Sequence, residues 1–353
     1  MAAAIGAGLI ISTGGAVQAT VRHHHHHGPP PPPPPVTTTT VPGPGPVPGG
    51  GTLKPSLAGL IDINGNTPAV YQVVVHNQTL KVNWADLEPT QGTLNTSTID
   101  ARLAKARPNG THLLLRILAG ANAPDWAKNI GGAPFPMLDP NGGQTGTVGR
   151  WWLPAYGAAW QSLNQRLGAK YDSEPLISEV TIGEAGTIFA EPFQRGGTSN
   201  RSVLIAAGYT EALDVASETR GIDDTCPAWP TTRCSLALTV YQSQFNGGEP
   251  QVTLAAATYG KATYKNFMTE NNGLRMPRLA GRMGAIYAWM QANGPTGGQT
   301  ATAPRIGSLV GTLNDAASMG IVAVELPGGY ESLAAPTDLE TPRASLALNA
   351  AKF

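Results

Sequence analysis

The sequence predicts an α/β fold, a (β/α)8 barrel, on three observations. From residue 52 onward short apolar, β-branched runs alternate with helical stretches, the pattern of parallel strands joined by helical crossovers. Eight such runs can be placed along the chain, the number a closed barrel needs. The third observation is the stretch 175–193, where the run Leu176 to Ile182 stops at a glycine-flanked carboxylate, Gly183-Glu184-Ala185-Gly186. A carboxylate at the carboxyl end of a barrel strand is a candidate acid, base or nucleophile, because that end carries the chemistry of the fold. The competing expectation is a Glu that caps the next helix or pairs with a nearby Arg.

In chain order, strand one is expected at Leu57 to Ile63 and strand two at Thr79 to Trp84, followed by Ala85-Asp86-Leu87-Glu88-Pro89. Thr98 to Ala106 carries Ile99, Leu103 and Ala106 on one helical face and is ended by Pro108-Asn109-Gly110. His112 to Leu118 is nearly continuously apolar around Arg116, as expected of a strand covered on both faces. Pro154 to Tyr171 reads as a helix with Tyr156, Trp160, Leu163 and Leu167 on its inner stripe. Leu176 to Ile182 is strand four, Val203 to Glu218 a helix, and Ser235 to Tyr241 strand five. Tyr264 to Thr269, leading into Glu270, is strand six, and Met283 to Met290, leading into Gln291, is strand seven. Arg305 to Met319 is a helix, Ile321 to Leu326 is strand eight with Glu325 near its tip, and Leu339 to Ala351 is the closing helix.

The 353 residues divide into three parts: an export signal or short anchor at 1–19, a linker at 20–51, and the barrel at 52–353. Ala2 to Ile11 is small and apolar, and Val17-Gln18-Ala19 offers small residues where a signal peptidase cuts, although the positive n-region is missing. The linker holds His23 to His27, Pro29 to Pro35 and Thr37 to Thr40, a composition that buries no core and favours extended polyproline II. Five consecutive histidines ahead of a linker reflect composition or a tag more often than a site, so no metal and no cofactor are assigned. Cys226 and Cys234, close in sequence in an exported chain, are expected to form one local disulfide. Localisation is therefore expected to be secreted or cell-envelope associated, with membrane contact only through an uncleaved N-terminal segment. A formal net charge of zero excludes the basic surface that nucleic acid requires. A monomer is expected.

Trp84-Ala85-Asp86-Leu87-Glu88-Pro89 with Gly92, then Asp100, Leu114-Leu115-Arg116 and Pro124-Asp125-Trp126, resembles the second and third strand region of (β/α)8 glycoside hydrolases of the β-galactosidase and xylanase type. The resemblance covers roughly residues 79–190. It implies a carbohydrate substrate or ligand, with Glu184 as the proton donor at the tip of strand four. The chain departs from the family pattern twice. Gly183 stands where the family has Asn before the acid/base, and the expected strand seven ends in Gln291, an amide, where the family has a nucleophilic Glu. The second carboxylate is therefore sought at Glu325 first and Glu270 second, with Asp86 and Glu191 behind them. Glu88 is expected to be structural.

Trp84, Trp126, Trp151 and Trp152 fall at strand ends or in the loops after them, where flat indole faces could stack on sugars. Asn83, Arg116 and Gln291 complete the expected substrate-binding set. Arg116, buried in mid-strand, needs a carboxylate partner, and Glu184 is the expected one. The sequence thus points to a secreted glycoside hydrolase-like protein. The alternative is a cell-envelope barrel that binds carbohydrate after losing its nucleophile.

Overall fold

Strand-forming runs in this chain close on one another, as the computed structural model shows. Residues 51–139, 145–243 and 247–353 are described; the expected signal and linker, at 1–19 and 20–51, lie outside them apart from Gly51. The strands are β1 Gly59–Asp62, β2 Val75–Asn83, β3 His112–Leu118, β4 Ile177–Thr181, β5 Arg233–Ala237, β6 Phe267–Leu274, β7 Thr296–Thr300 and β8 Ala323–Leu326. Each pairs in parallel with its neighbours in chain order, and β1 pairs with β8, which closes the (β/α)8 barrel. The helices are α1 Ser97–Ala106, α2 Pro154–Tyr171, α3 Glu211–Thr225, α4 Pro250–Thr263, α5 Arg282–Ala292, α6 Leu309–Ser318 and α7 Pro336–Ala350. Only a 3-10 turn, Ala69–Tyr71, joins β1 to β2. No helix among the described residues is long and apolar enough to cross a membrane.

The interior of the barrel is layered by the two-residue period of its strands. Leu57, Ile61, Leu114, Met268, Val322 and Ala323 form a small apolar cluster of their own. Two residues further along three of these strands stand Arg116, Glu270 and Glu325, so an ionic layer lies directly above the apolar one, nearer the carboxyl ends. The larger core fills the space between strands and helices, with Leu113, Leu115 and Ile117 on the outer face of β3.

Two elements differ from the expectation. Met283 to Met290 is helical, the body of α5, with Ile286, Tyr287 and Met290 buried. A short apolar run cannot be told from a buried helical turn by periodicity alone, and here the helix won. The seventh strand is instead Thr296-Gly297-Gly298-Gln299-Thr300, which lacks the β-branched apolar residues that mark its neighbours. Gly298 gives Leu274 room: a Cβ there would come within 2.4 Å of Leu274 Cδ1. The expected helix over Val203 to Glu218 is split by Gly208, whose φ of +87° breaks it before Thr210 caps α3 by accepting from Leu213 N. The Cys226–Cys234 disulfide is formed and links the end of α3 to β5.

Candidate functional site at the carboxyl end of the barrel

Arg116 organises the barrel axis. It is 2% exposed, and its guanidinium donates from Nη2 to Glu325 Oε1 at 2.5 Å and from Nη1 to Glu325 Oε2 at 3.1 Å. The same Nη2 reaches both oxygens of Glu270, at 3.2 and 3.3 Å, and Nη1 donates to Gln299 Oε1 at 3.0 Å. Thr79 completes the layer by donating to Glu325 Oε2 at 2.8 Å. Both carboxyl groups thus bond the same Nη2. The space between them is filled by the guanidinium. Burial pushes the Glu270 carboxyl up to about 8 although Arg116 pulls the other way, and burial likewise pushes Glu179, on β4, up to about 7.

Above this layer, at the mouth, lies a cavity of about 400 Å³ over β5, β6 and β7. Its walls are rich in amides and hydroxyls, among them Gln194, Gln242, Asn271, Asn272 and Thr302, with Phe189 as an aromatic surface and the buried Tyr287 behind it. Gln299 joins the two levels, since it lines the cavity and accepts from Arg116. Glu191 is the carboxylate of this wall; burial raises its pKa, while Arg116 and a hydrogen bond from Asn272 act against that rise. A second depression of about 380 Å³, over the ends of β2 and β3, is lined by Asn83, Pro124, Asp125 and Lys128.

Glu184 stands elsewhere. It follows β4, is fully buried, and accepts from Arg220 Nη2 at 2.6 Å and Nε at 2.8 Å. Asp224, one helical turn beyond Arg220 on α3, comes within 3.7 Å of the same guanidinium. Glu184 Oε2 and Asp224 Oδ2 find no donor, so one of the two carboxyls must carry a proton for them to bond each other. Burial, the main cause, lifts Glu184 well above the ordinary range and Asp224 to about 6. The expected pairing of Arg116 with Glu184 is thus corrected: Arg116 points along the axis, whereas Glu184 points outward to α3. The structure does not bring Glu184 together with Glu270 and Glu325. Gly183, the residue before it, is fixed by crowding, since a Cβ there would lie 2.7 Å from the Ile117 carbonyl oxygen.

Several expected sugar-binding residues are also corrected by their placement. Trp84, Trp151 and Trp152 are at most 2% exposed and offer no free face. Trp84 packs edge-on against Trp126, Tyr156 and Trp160, and Trp151 donates to Asp214 Oδ1 at 2.7 Å under the Arg195 guanidinium. Trp126 is half-buried and gives its Nε1 to the Glu88 carbonyl at 2.9 Å. Glu88 holds this corner together through Trp84 Nε1, Gly92 N and Arg166. Gln291 is exposed near the carboxyl end of α5, the end that returns toward the opposite side of the barrel from the mouth. Asn83 does lie at the mouth, donating to Asp86 Oδ2 at 2.9 Å.

The closed parallel barrel decides the comparison with solved structures. Its fold is the (β/α)8 barrel. The catalytic domain of β-amylase from Paenibacillus polymyxa is similar over 82% of this chain and 100% of its own, with a TM-score of 0.50 and 11% identity. Endo-glycoceramidase II from a Rhodococcus species is similar over 78% of this chain and 75% of its own, with a TM-score of 0.44 and 10% identity. A β-galactosidase from the psychrophilic Marinomonas ef1 is similar over 83% of this chain and 59% of its own, with a TM-score of 0.48 and 11% identity. No protein-family model matches the chain, and no curated protein is similar to it in sequence. At these identities the likeness speaks for the fold alone.

The sequence reasoning missed Gln299, Tyr287 and Asn272 as residues of the mouth. The first lies on the unrecognised strand. The second was placed in a strand when it is on a helix, and the third follows Glu270 on a strand longer than expected.

Proposed function

We propose that this chain is a saccharide-binding barrel built on the glycoside hydrolase fold, with the ligand seated in the cavity over β5 to β7. The observation that carries this reading is the state of the carboxylates beneath that cavity. Glu270 and Glu325 are both tied to Arg116, which occupies the space a glycosidic oxygen and its attacking water would need. The wall above supplies amide and hydroxyl partners and one aromatic surface, Phe189, the groups that orient a polyol and cover its C–H face. Export to an oxidising compartment belongs to the same reading and is supported by the Cys226–Cys234 disulfide.

A hydrolase remains the second reading, because Glu191 lines the cavity and the Glu270 carboxyl is pushed up to about 8, where it would keep a proton to donate at neutral pH. One experiment separates the two. The full chain is incubated with a panel of aryl glycosides and polysaccharides, and binding of the same saccharides is measured by calorimetry. Binding without turnover, weakened by Gln242→Ala, is expected. Turnover that disappears in Glu270→Gln or Glu191→Gln would replace the binding reading with the hydrolase.

A further inference from the structure

The cavity over β5 to β7 is asymmetric in charge, and its polar atoms are not all used. Arg275, just after β6, and Arg305, just after β7, both line it. Among the described residues neither forms an ion pair, and Arg275 spends only its Nε, on the Gly273 carbonyl at 3.4 Å. Arg278, outside the cavity lining, lies 5.9 Å from the Tyr287 ring and is already neutralised by Asp315. Tyr287 itself is 2% exposed, yet its buried hydroxyl has no hydrogen-bond partner, and the Asn272 carbonyl oxygen is likewise buried and unpaired. Buried hydroxyls and amides without partners are uncommon in a settled core and cost free energy while unmet. Here both belong to residues that line a cavity.

On the saccharide-binding reading above, we propose that this cavity takes an acidic saccharide, one bearing a carboxylate, sulfate or phosphate group. The anionic group docks between Arg275 and Arg305, and sugar hydroxyls meet the side-chain amides of Gln194 and Gln242. A guanidinium offers a planar pair of donors that matches an oxyanion, and two of them free of carboxylate partners on adjacent strand-end loops define where it sits. Glu191, borne by the loop after β4, repels the anion from its own side and so fixes the ligand's direction. A neutral sugar would leave both arginines without a counter-charge.

Calorimetry on the full chain tests this with matched oligosaccharide pairs: an oligouronate against its neutral methyl ester, and a sulfated oligosaccharide and a sugar phosphate each against the unsubstituted sugar. At least one acidic member is expected to bind about 10-fold or more tightly than its neutral counterpart, with the preference shrinking as salt rises. The pair that shows the preference names the anionic group. Arg275→Gln and Arg305→Gln are expected to lose the preference for the acidic member, with thermal melts confirming that both variants fold. Equal binding of acidic and neutral members, or a preference that survives both substitutions, would overturn this inference and leave the saccharide reading standing. Failure of every saccharide to bind would remove both.

Discussion

Two ion clusters in this barrel share a composition and differ in what they face. Along the axis, Arg116 stands between Glu270 and Glu325; between barrel and helices, Arg220 stands beside Glu184 and Asp224. The axial cluster is roofed by a cavity that reaches it through Gln299, whereas the outer one is capped by the carbonyls of Trp151 and Trp152, which also accept from Arg220. A carboxylate at a strand end therefore says little until the side of the strand is known. Inward positions follow Leu114 and Arg116, Met268 and Glu270, Ala323 and Glu325; Glu184 comes after β4 has ended, where that alternation no longer binds it.

The largest way to break the comparison is Arg116→Ala. It leaves the buried carboxyl groups of Glu270 and Glu325 without their shared donor and should cost about 3–5 kcal/mol at neutral pH, a fall in Tm on the order of 10 °C. The loss should grow as pH rises through about 8, where Glu270 gives up its proton in the wild type and would have no counter-charge in the variant. Thermal melts at two pH values check this, and a loss that does not depend on pH would show that Arg116 acts through packing alone.

The outer cluster should respond less. Glu184→Ala leaves Arg220 with Asp224 as a partner and is expected to cost about 2–3 kcal/mol; Glu184→Gln, which keeps shape and neutrality, should cost about 1 kcal/mol or less. Neither should change saccharide binding. A glycosidase-like loss of turnover on Glu184→Gln, in a chain shown to have turnover, would return Glu184 to the acid/base role that the sequence suggests.

The clusters should also titrate in different windows. A carboxyl whose folded pKa is raised contributes stability that is fully present below its unfolded pKa and is lost as pH climbs through the folded value. For Asp224 that window runs from the ordinary 3.8 to about 6, and for Glu270 from 4.5 to about 8. The wild-type Tm is therefore expected to fall as pH rises from 4 to 8. Asp224→Asn should flatten the acid part of the curve, and Glu270→Gln the part that extends toward pH 8. Two variants with parallel profiles would mean that the two clusters do not titrate separately.

How much of this was legible in the sequence varies with the residue. His112–Leu118 and Pro154–Tyr171 are bounded as the pattern predicts, because apolar content and capping proline agree with the tertiary environment. The Thr-Gly-Gly-Gln-Thr strand was not legible, since Gly298 makes room for Leu274 and the strand carries no apolar signal in its own residues. Tryptophans at strand ends read equally well as sugar platforms and as core. The difference lies in the partners Trp84 and Trp151 find, Glu88 and Asp214, which are four and sixty-three residues away.

The smallest expected effect on stability tests the cavity itself. Tyr287 is 2% exposed and its hydroxyl has no hydrogen-bond partner. A side chain that serves only the core gains nothing from that oxygen, so Tyr287→Phe should change stability by about 0.5 kcal/mol or less, in the stabilising direction if at all. If the hydroxyl exists to meet a ligand, the same variant should bind saccharide about 5-fold to 10-fold more weakly. Unchanged melting with weakened binding assigns the oxygen to the site, as Arg116→Ala assigns its guanidinium to the scaffold. Unchanged melting with unchanged binding would move the ligand away from α5, toward the depression that Asn83 lines over β2 and β3.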